Sequence, residues 1–129
     1  VTFDAADPAA LSDFWAAALG YEVPPPPEGF DSWDDWATAM GIPEENWNDA
    51  RALEDPDGAG PRLFFQKVPE AKTAKNRLHL DLSSADPESL IAHVEELGGE
   101  RLEDHEIAGF HWTVCTDPEG NEFCITATH

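Results

Sequence analysis

Two stretches, ADPAALSDFWAAALG at residues 6–20 and ADPESLIAHVEELG at residues 85–98, are versions of one pattern. Each opens Ala-Asp-Pro, carries apolar residues at helical spacing (Leu11 and Trp15, Leu90 and Val94) and ends Leu-Gly. Asp7 and Asp86 are N-cap residues whose carboxylates can accept the free first-turn N–H groups. Pro8 and Pro87 suit the first helical position, and Gly20 and Gly98 the C-terminal stop. A second echo follows each helix. Asp55-Pro56-Asp57-Gly58 and Asp117-Pro118-Glu119-Gly120 read as tight turns, each leading into an apolar strand, Leu63 to Val68 and Phe123 to Thr126. Further strand signals fall at Val1 to Asp4, Tyr21 to Val23, Ala50 to Glu54, Leu78 to Leu82, Glu100 to Leu102 and His111 to Thr116.

The order that results is β-α-β-β-β, twice. The expected fold class is α+β, with two modules whose curled mixed sheets enclose a cleft. Module one covers residues 1–69 with an insertion at 24–49, residues 70–76 form a linker, and module two covers 77–129. Leu78, Leu80 and Leu82 alternate with His79 and Asp81, so one face of that strand is expected to pack on a helix while His79 and Asp81 point into the cleft.

At 129 residues the chain is long enough to bury a core in one domain without disulfide or metal staples. Seven Lys and Arg against 27 Asp and Glu give a formal charge of -20, which opposes binding to a polyphosphate, so nucleic acid is excluded as a partner. No apolar run approaches the ~20 residues of a membrane span, and a cytoplasmic, membrane-free protein is expected. Five of the seven basic residues, Arg62, Lys67, Lys72, Lys75 and Arg77, fall close together in the sequence, as a patch that tolerates anions or as partners for neighbouring acids. Cys115 and Cys124 make no C-x-x-C pair and read as buried thiols. No nucleophile elbow, phosphate loop or H-E-x-x-H occurs.

Four segments carry a resemblance: Asp7-Pro8 with Phe14, Trp15, Leu19 and Gly20; Leu63 to Pro69; Lys75-Asn76-Arg77-Leu78-His79-Leu80-Asp81-Leu82; and Asp117-Pro118-Glu119-Gly120-Asn121-Glu122-Phe123-Cys124. In these the chain resembles the glyoxalase, bleomycin-resistance and ring-cleaving dioxygenase superfamily, the vicinal oxygen chelate proteins, over its whole length as one domain. Within it the sequence most resembles a glyoxalase-like subgroup whose members mostly have no assigned reaction. The resemblance implies the paired-module fold, a small-molecule ligand and a homodimer. It also implies, in metal-dependent members, four His and Glu ligands from the first and last strands of each module.

The internal repeat tests that ligand set. Under the offset that carries Asp7 onto Asp86, the partner of His79 is the position preceding Val1, outside the sequence. Aligning the two Asp-Pro turns pairs Phe64 with Cys124 and Gln66 with Thr126, and neither pair holds a carboxylate. Glu122 lies on the side of Cys124 but nearer the turn, and reaches inward only if the register slips. No metal cofactor is therefore expected; if a divalent ion is present, His79 and Cys124 are its first ligands, with Gln66 a weaker one. His79 otherwise lines the cleft in a hydrogen bond to Asp81.

The insertion has no counterpart in module two. Ser32 can cap a short helix with Asp34 and Asp35 in its first turn, and Trp33, Trp36 and Met40 recur on one face. That face is either core over the cleft edge or a lid whose indoles touch a ligand. Trp47 and Trp112 extend the same surface, since five tryptophans suffice for an aromatic pocket. His93, His105, His111 and His129 make no metal spacing with one another. Two functions follow. One is metal-free binding of a small cationic or aromatic compound, in the manner of bleomycin-resistance proteins, with His79, Asp81, Gln66, Phe64, Cys124, Trp33, Trp36 and Trp112 lining the site. The other is a metal-dependent lyase, isomerase or dioxygenase. A dimer is expected because the apolar strand at Leu63-Phe64-Phe65 would otherwise sit near an open edge.

Overall fold

The computed structural model describes residues 1–128, and His129 lies outside the described residues. The chain forms two compact units, Val1–Glu70 and Ala71–His129. In the first, β1 (Thr2–Ala5) leads into α1 (Pro8–Leu19); α2 (Trp33–Ala39) and a 3-10 helix (Glu44–Asp49) precede β2 (Ala50–Leu53) and β3 (Leu63–Lys67). In the second, β4 (Leu80–Ser84) and α3 (Pro87–Glu96) are followed by β5 (Glu100–Ile107), β6 (Phe110–Thr116) and β7 (Glu122–Ala127).

Each unit holds one mixed sheet, ordered β1-β3-β2 and β4-β7-β6-β5, and neither closes on itself. The repeat is visible in the register. Thr2 pairs with Phe64 across the parallel β1/β3 pair, and Asp81 pairs with Cys124 across the parallel β4/β7 pair. Both helices begin as their sequences dictate, with Asp7 accepting from the Ala10 N–H and Asp86 from the Ser89 N–H. α1 buries Leu11, Phe14 and Trp15 against β2 and β3, where Leu53, Leu63 and Phe65 are equally buried. Phe3 stacks on Phe65 at 5.1 Å and tilts against Trp15 at 5.4 Å. In the second unit Ile91 and Val94 of α3 are buried, as are Phe123 and Ile125 of β7 and Cys115 of β6.

Several expectations are corrected. Tyr21 to Val23 is no strand: a single bridge from Glu22 to Glu54 remains, so the first sheet has three strands and its unit runs β-α-β-β. The proline run beginning at Pro24 lacks amide donors and cannot extend the ladder. β4 starts at Leu80, leaving Leu78 outside the strand and 78% exposed rather than packed on a helix. β5 runs on to Ile107 because it pairs with β6 along its length, and this backbone ladder outweighs an acidic sequence with no alternation. β3 is central in its sheet, so Leu63-Phe64-Phe65 is not an exposed edge and the argument for a dimer from that strand falls.

The two Asp-Pro turns share a hydrogen-bonding plan. Asp55 accepts from the N–H groups of Asp57, Ala59 and Gly60, and Asp117 from those of Glu119 and Asn121 and from the Asn121 side chain. Gly58 and Gly120 sit at φ 69° and 87°, which glycine alone adopts without strain. Asp117 is 3% exposed. Asp117→Ala should therefore destabilise the protein by ~1–3 kcal/mol in chemical denaturation, the cost of stranding buried donors. Asp57→Ala, at an exposed turn position, should change it little. The donors on Asp55, first Asp57 and then Gly60, hold its carboxyl below the ordinary 3.8. A depressed folded pKa gives stability that is present above the unfolded value and lost as pH falls through the folded one. The melting temperature should thus drop below about pH 4, and by less in Asp55→Asn.

Candidate functional site

A cavity of about 700 Å³ lies in the first unit, on the sheet face opposite α1. Alternation along β3 places Leu63 and Phe65 on the helix side and Phe64 on the other. The β2/β3 pairing puts Ala52 beside Phe64 and Ala50 beside Gln66. Two alanines on this face leave open space above the Phe64 ring, and the insertion roofs that space.

The roof is built by local hydrogen bonds. Ser32 caps α2 through the Asp35 N–H at 3.0 Å. The Trp33 indole donates to the Pro24 carbonyl at 2.8 Å, and the Trp47 indole to the Ile42 carbonyl at 3.0 Å. Trp33 and Trp36 meet edge to face, 5.5 Å apart at 81°. The 3-10 helix is anchored to the start of α1 by Asn48, which accepts from the Ala9 N–H at 2.8 Å and donates to Asp7 at 2.9 Å. That donation, with the Ala10 N–H next, holds the Asp7 carboxyl below its ordinary value. Arg51 donates to the carbonyls of Trp47 and Ala50, fixing the backbone that presents Trp47.

Trp33, Trp36 and Phe64 thus come together, and Trp47 joins them. Met40 leaves the apolar face as the 55% exposed C-cap of α2, while Ala37 is its buried residue. Gln66 is no wall of the cavity; it donates to Asp4 at 2.7 Å. Trp112 belongs to the second unit, where it stacks on His105 at 5.1 Å. Asn48 and Arg51 are missed from sequence, where Arg62 is only one of the clustered bases with no place at the cavity. The guanidinium of Arg62 lies 5.1 Å above the Phe64 ring.

A second grouping forms in the second unit. Direct pairing sets Asp81 and Cys124 on one face, and His79 sits two residues before Asp81. One donor atom from each lies within 4.8 Å of the others, and His79 Nε2 is 3.1 Å from Asp81 Oδ1. Burial, then the charge of Asp81, pushes the Cys124 thiol up, so it keeps its proton at neutral pH. Imidazole, carboxylate and thiolate fit a three-ligand zinc-type site in donor type and number, once an ion displaces the thiol proton. Glu122 takes no part: Lys75 and Lys72 pair with its carboxylate, which Lys75 above all holds below its ordinary value. Two of the clustered bases therefore serve as partners for an acid. Both cysteines are free and buried, and desolvation pushes the Cys115 thiol up to about 11.

The glyoxalase-like domain family matches residues 1–126. Comparison with curated proteins gave no match. Among solved structures, a glyoxalase/bleomycin resistance protein/dioxygenase family enzyme from Burkholderia phytofirmans PsJN is similar at TM-score 0.70 and 15% identity, over 100% of this chain and 96% of that one. A glyoxalase-related enzyme from Fulvimarina pelagi is similar at TM-score 0.63 and 15% identity, over 99% and 85%. The bleomycin-binding protein of bleomycin-producing Streptomyces verticillus, solved with copper(II)-bleomycin, is similar at TM-score 0.57 and 18% identity, over 99% and 93%. At these identities the likeness is one of fold.

Exposure separates wall from core among the indoles. Trp33 is 38% exposed and Trp15 is 1% exposed. Trp15→Ala should cost ~3–5 kcal/mol in urea denaturation, and Trp33→Ala clearly less. Equal costs would make the roof helix part of the core.

Proposed function

The chain belongs to the glyoxalase-like domain family, and from that premise we propose that it binds a small aromatic compound, without a metal, in the cavity of its first unit. The observation that carries this reading is the convergence of Trp33, Trp36, Trp47 and Phe64 around about 700 Å³, within the range of pockets that enclose drug-sized ligands. Each ring-to-ring contact with a planar ligand adds roughly 0.5–1.5 kcal/mol beyond area burial. Support by analogy comes from the Streptomyces verticillus protein of the same fold, which holds copper(II)-bleomycin.

A second reading has its own observation, the His79, Asp81 and Cys124 grouping. There the protein is a metal-dependent lyase, isomerase or dioxygenase, and a bound ion supplies Lewis-acid polarisation of substrate oxygens. His79 and Asp81 are exposed, which leaves such a site open to substrate and water. Either reading is compatible with a homodimer. No helix of the described residues is long and apolar enough to cross a membrane.

Titration with fused-ring aromatic compounds should give a saturable change in tryptophan emission, indifferent to a chelator. Trp36→Ala should weaken that binding about tenfold, ~1.4 kcal/mol, with a smaller effect on unfolding. Elemental analysis should find no stoichiometric transition metal. Near one ion per chain, lost in His79→Ala and Cys124→Ala, would move the function to the second grouping.

A further inference from the structure

Charge on the cavity wall is distributed unlike charge on the rest of the chain. The protein carries 27 acidic side chains and only 7 Lys and Arg, yet the wall holds two of each sign: Asp34, Asp49, Arg51 and Arg62. They differ in what they already hold. Asp49 accepts from the Asn46 amide at 2.9 Å, and Arg51 is tied to two carbonyls. Neither Arg62 nor Asp34 makes an ion pair among the described residues, and Arg51, Lys67 and Arg77 make none either, whereas Lys72, Lys75 and Arg101 are paired with Glu122, Glu88 or Asp104. The Arg62 side chain is placed by the Phe64 ring instead, at 5.1 Å, beside the space the indoles enclose.

A guanidinium held over an aromatic face keeps its in-plane N–H donors directed outward. Those donors match a carboxylate in paired geometry, and charge-assisted bonds of this kind are about twice as strong as neutral ones. We propose that the cavity selects a planar aromatic carboxylate, its rings against Trp33, Trp36 and Trp47 and its carboxylate on Arg62. This rests on the aromatic-binding reading above and assigns the sign of the ligand's charge. The acidic surface sets the sign of the long-range field only. At about 0.15 M ionic strength that field is screened beyond ~8 Å, and the contact at Arg62 decides.

Three probes of one shape test it: 2-naphthoate, 2-naphthamide and 2-naphthylmethylammonium, titrated by tryptophan emission and calorimetry at that ionic strength. The expected result is 2-naphthoate tightest by about tenfold. Arg62→Gln should abolish the preference for 2-naphthoate over 2-naphthamide, and Arg62→Lys should restore part of it. The melting temperature of each variant checks that Arg62 is not merely structural. Equal affinity for all three, or a preference that survives Arg62→Gln, overturns the charge assignment and leaves aromatic binding standing. The ammonium probe binding tightest overturns it in favour of Asp34 and Asp49. No saturable binding by any probe removes the aromatic-binding reading and this proposal together.

Discussion

Three consecutive residues of the central strand β3 organise the first unit. Leu63 and Phe65 point to α1, where they are 1% and 0% exposed, while Phe64 between them faces the cavity. A strand offers its two faces to alternate residues, so the commitment of Leu63 and Phe65 to the core fixes Phe64 on the far side. A slip of one residue would bury Phe64 under the helix and turn Phe65 toward the indoles. The neighbouring strands enforce the register: Phe3 pairs with and stacks on Phe65, and Leu53 pairs with Leu63. Core and cavity thus share one constraint, and the ring that seats Arg62 is placed by the packing of its neighbours on the other side.

The insertion closes the cavity without a large core of its own. Its firm points are polar. Asn48 ties it to the first turn of α1, the Trp33 and Trp47 indoles bond to carbonyls of the same segment, and Arg51 holds the Trp47 carbonyl. Among its helical residues only Ala37 is buried. Such a roof is held by a few bonds worth roughly 1 kcal/mol each. It can open more readily than α1, which is held by buried Leu11, Phe14 and Trp15.

Repeated local chemistry was the legible part of the sequence. Asp-Pro caps and Asp-Pro-x-Gly turns act through bonds within a few residues, so both copies could be read from spacing alone, and the fold followed. The same reading overreached where position along the chain stood in for pairing. Tyr21 to Val23 has strand-forming residues, but the prolines after it remove the donors a ladder needs. The acidic stretch from Glu103 to Glu106 is a strand because β6 pairs with it. At the site, helical spacing marks Trp33 and Trp36, and alignment of the two Asp-Pro turns marks Phe64. Arg62 was visible only as one of several clustered bases, and separating it from Lys72 and Lys75 required knowing that these two meet Glu122 while Arg62 meets a ring. Residue type alone does not place Trp112, which in its own unit stacks on His105.

Under the proposed reading, net charge and the cavity wall point to ligands of different charge. A value of -20 suggests a cation, but it sums side chains that are mostly solvated and far from any one point. Recognition happens over a few ångströms, where a direct contact counts for more than charges beyond the screening length. Along the wall the formal charges cancel, and the groups already bonded to the protein drop out of the comparison. What remains is Asp34 on one side and Arg62, seated on the Phe64 ring, on the other, and in the proposed reading the acidic surface acts on solubility and on the rate of approach more than on the choice between them.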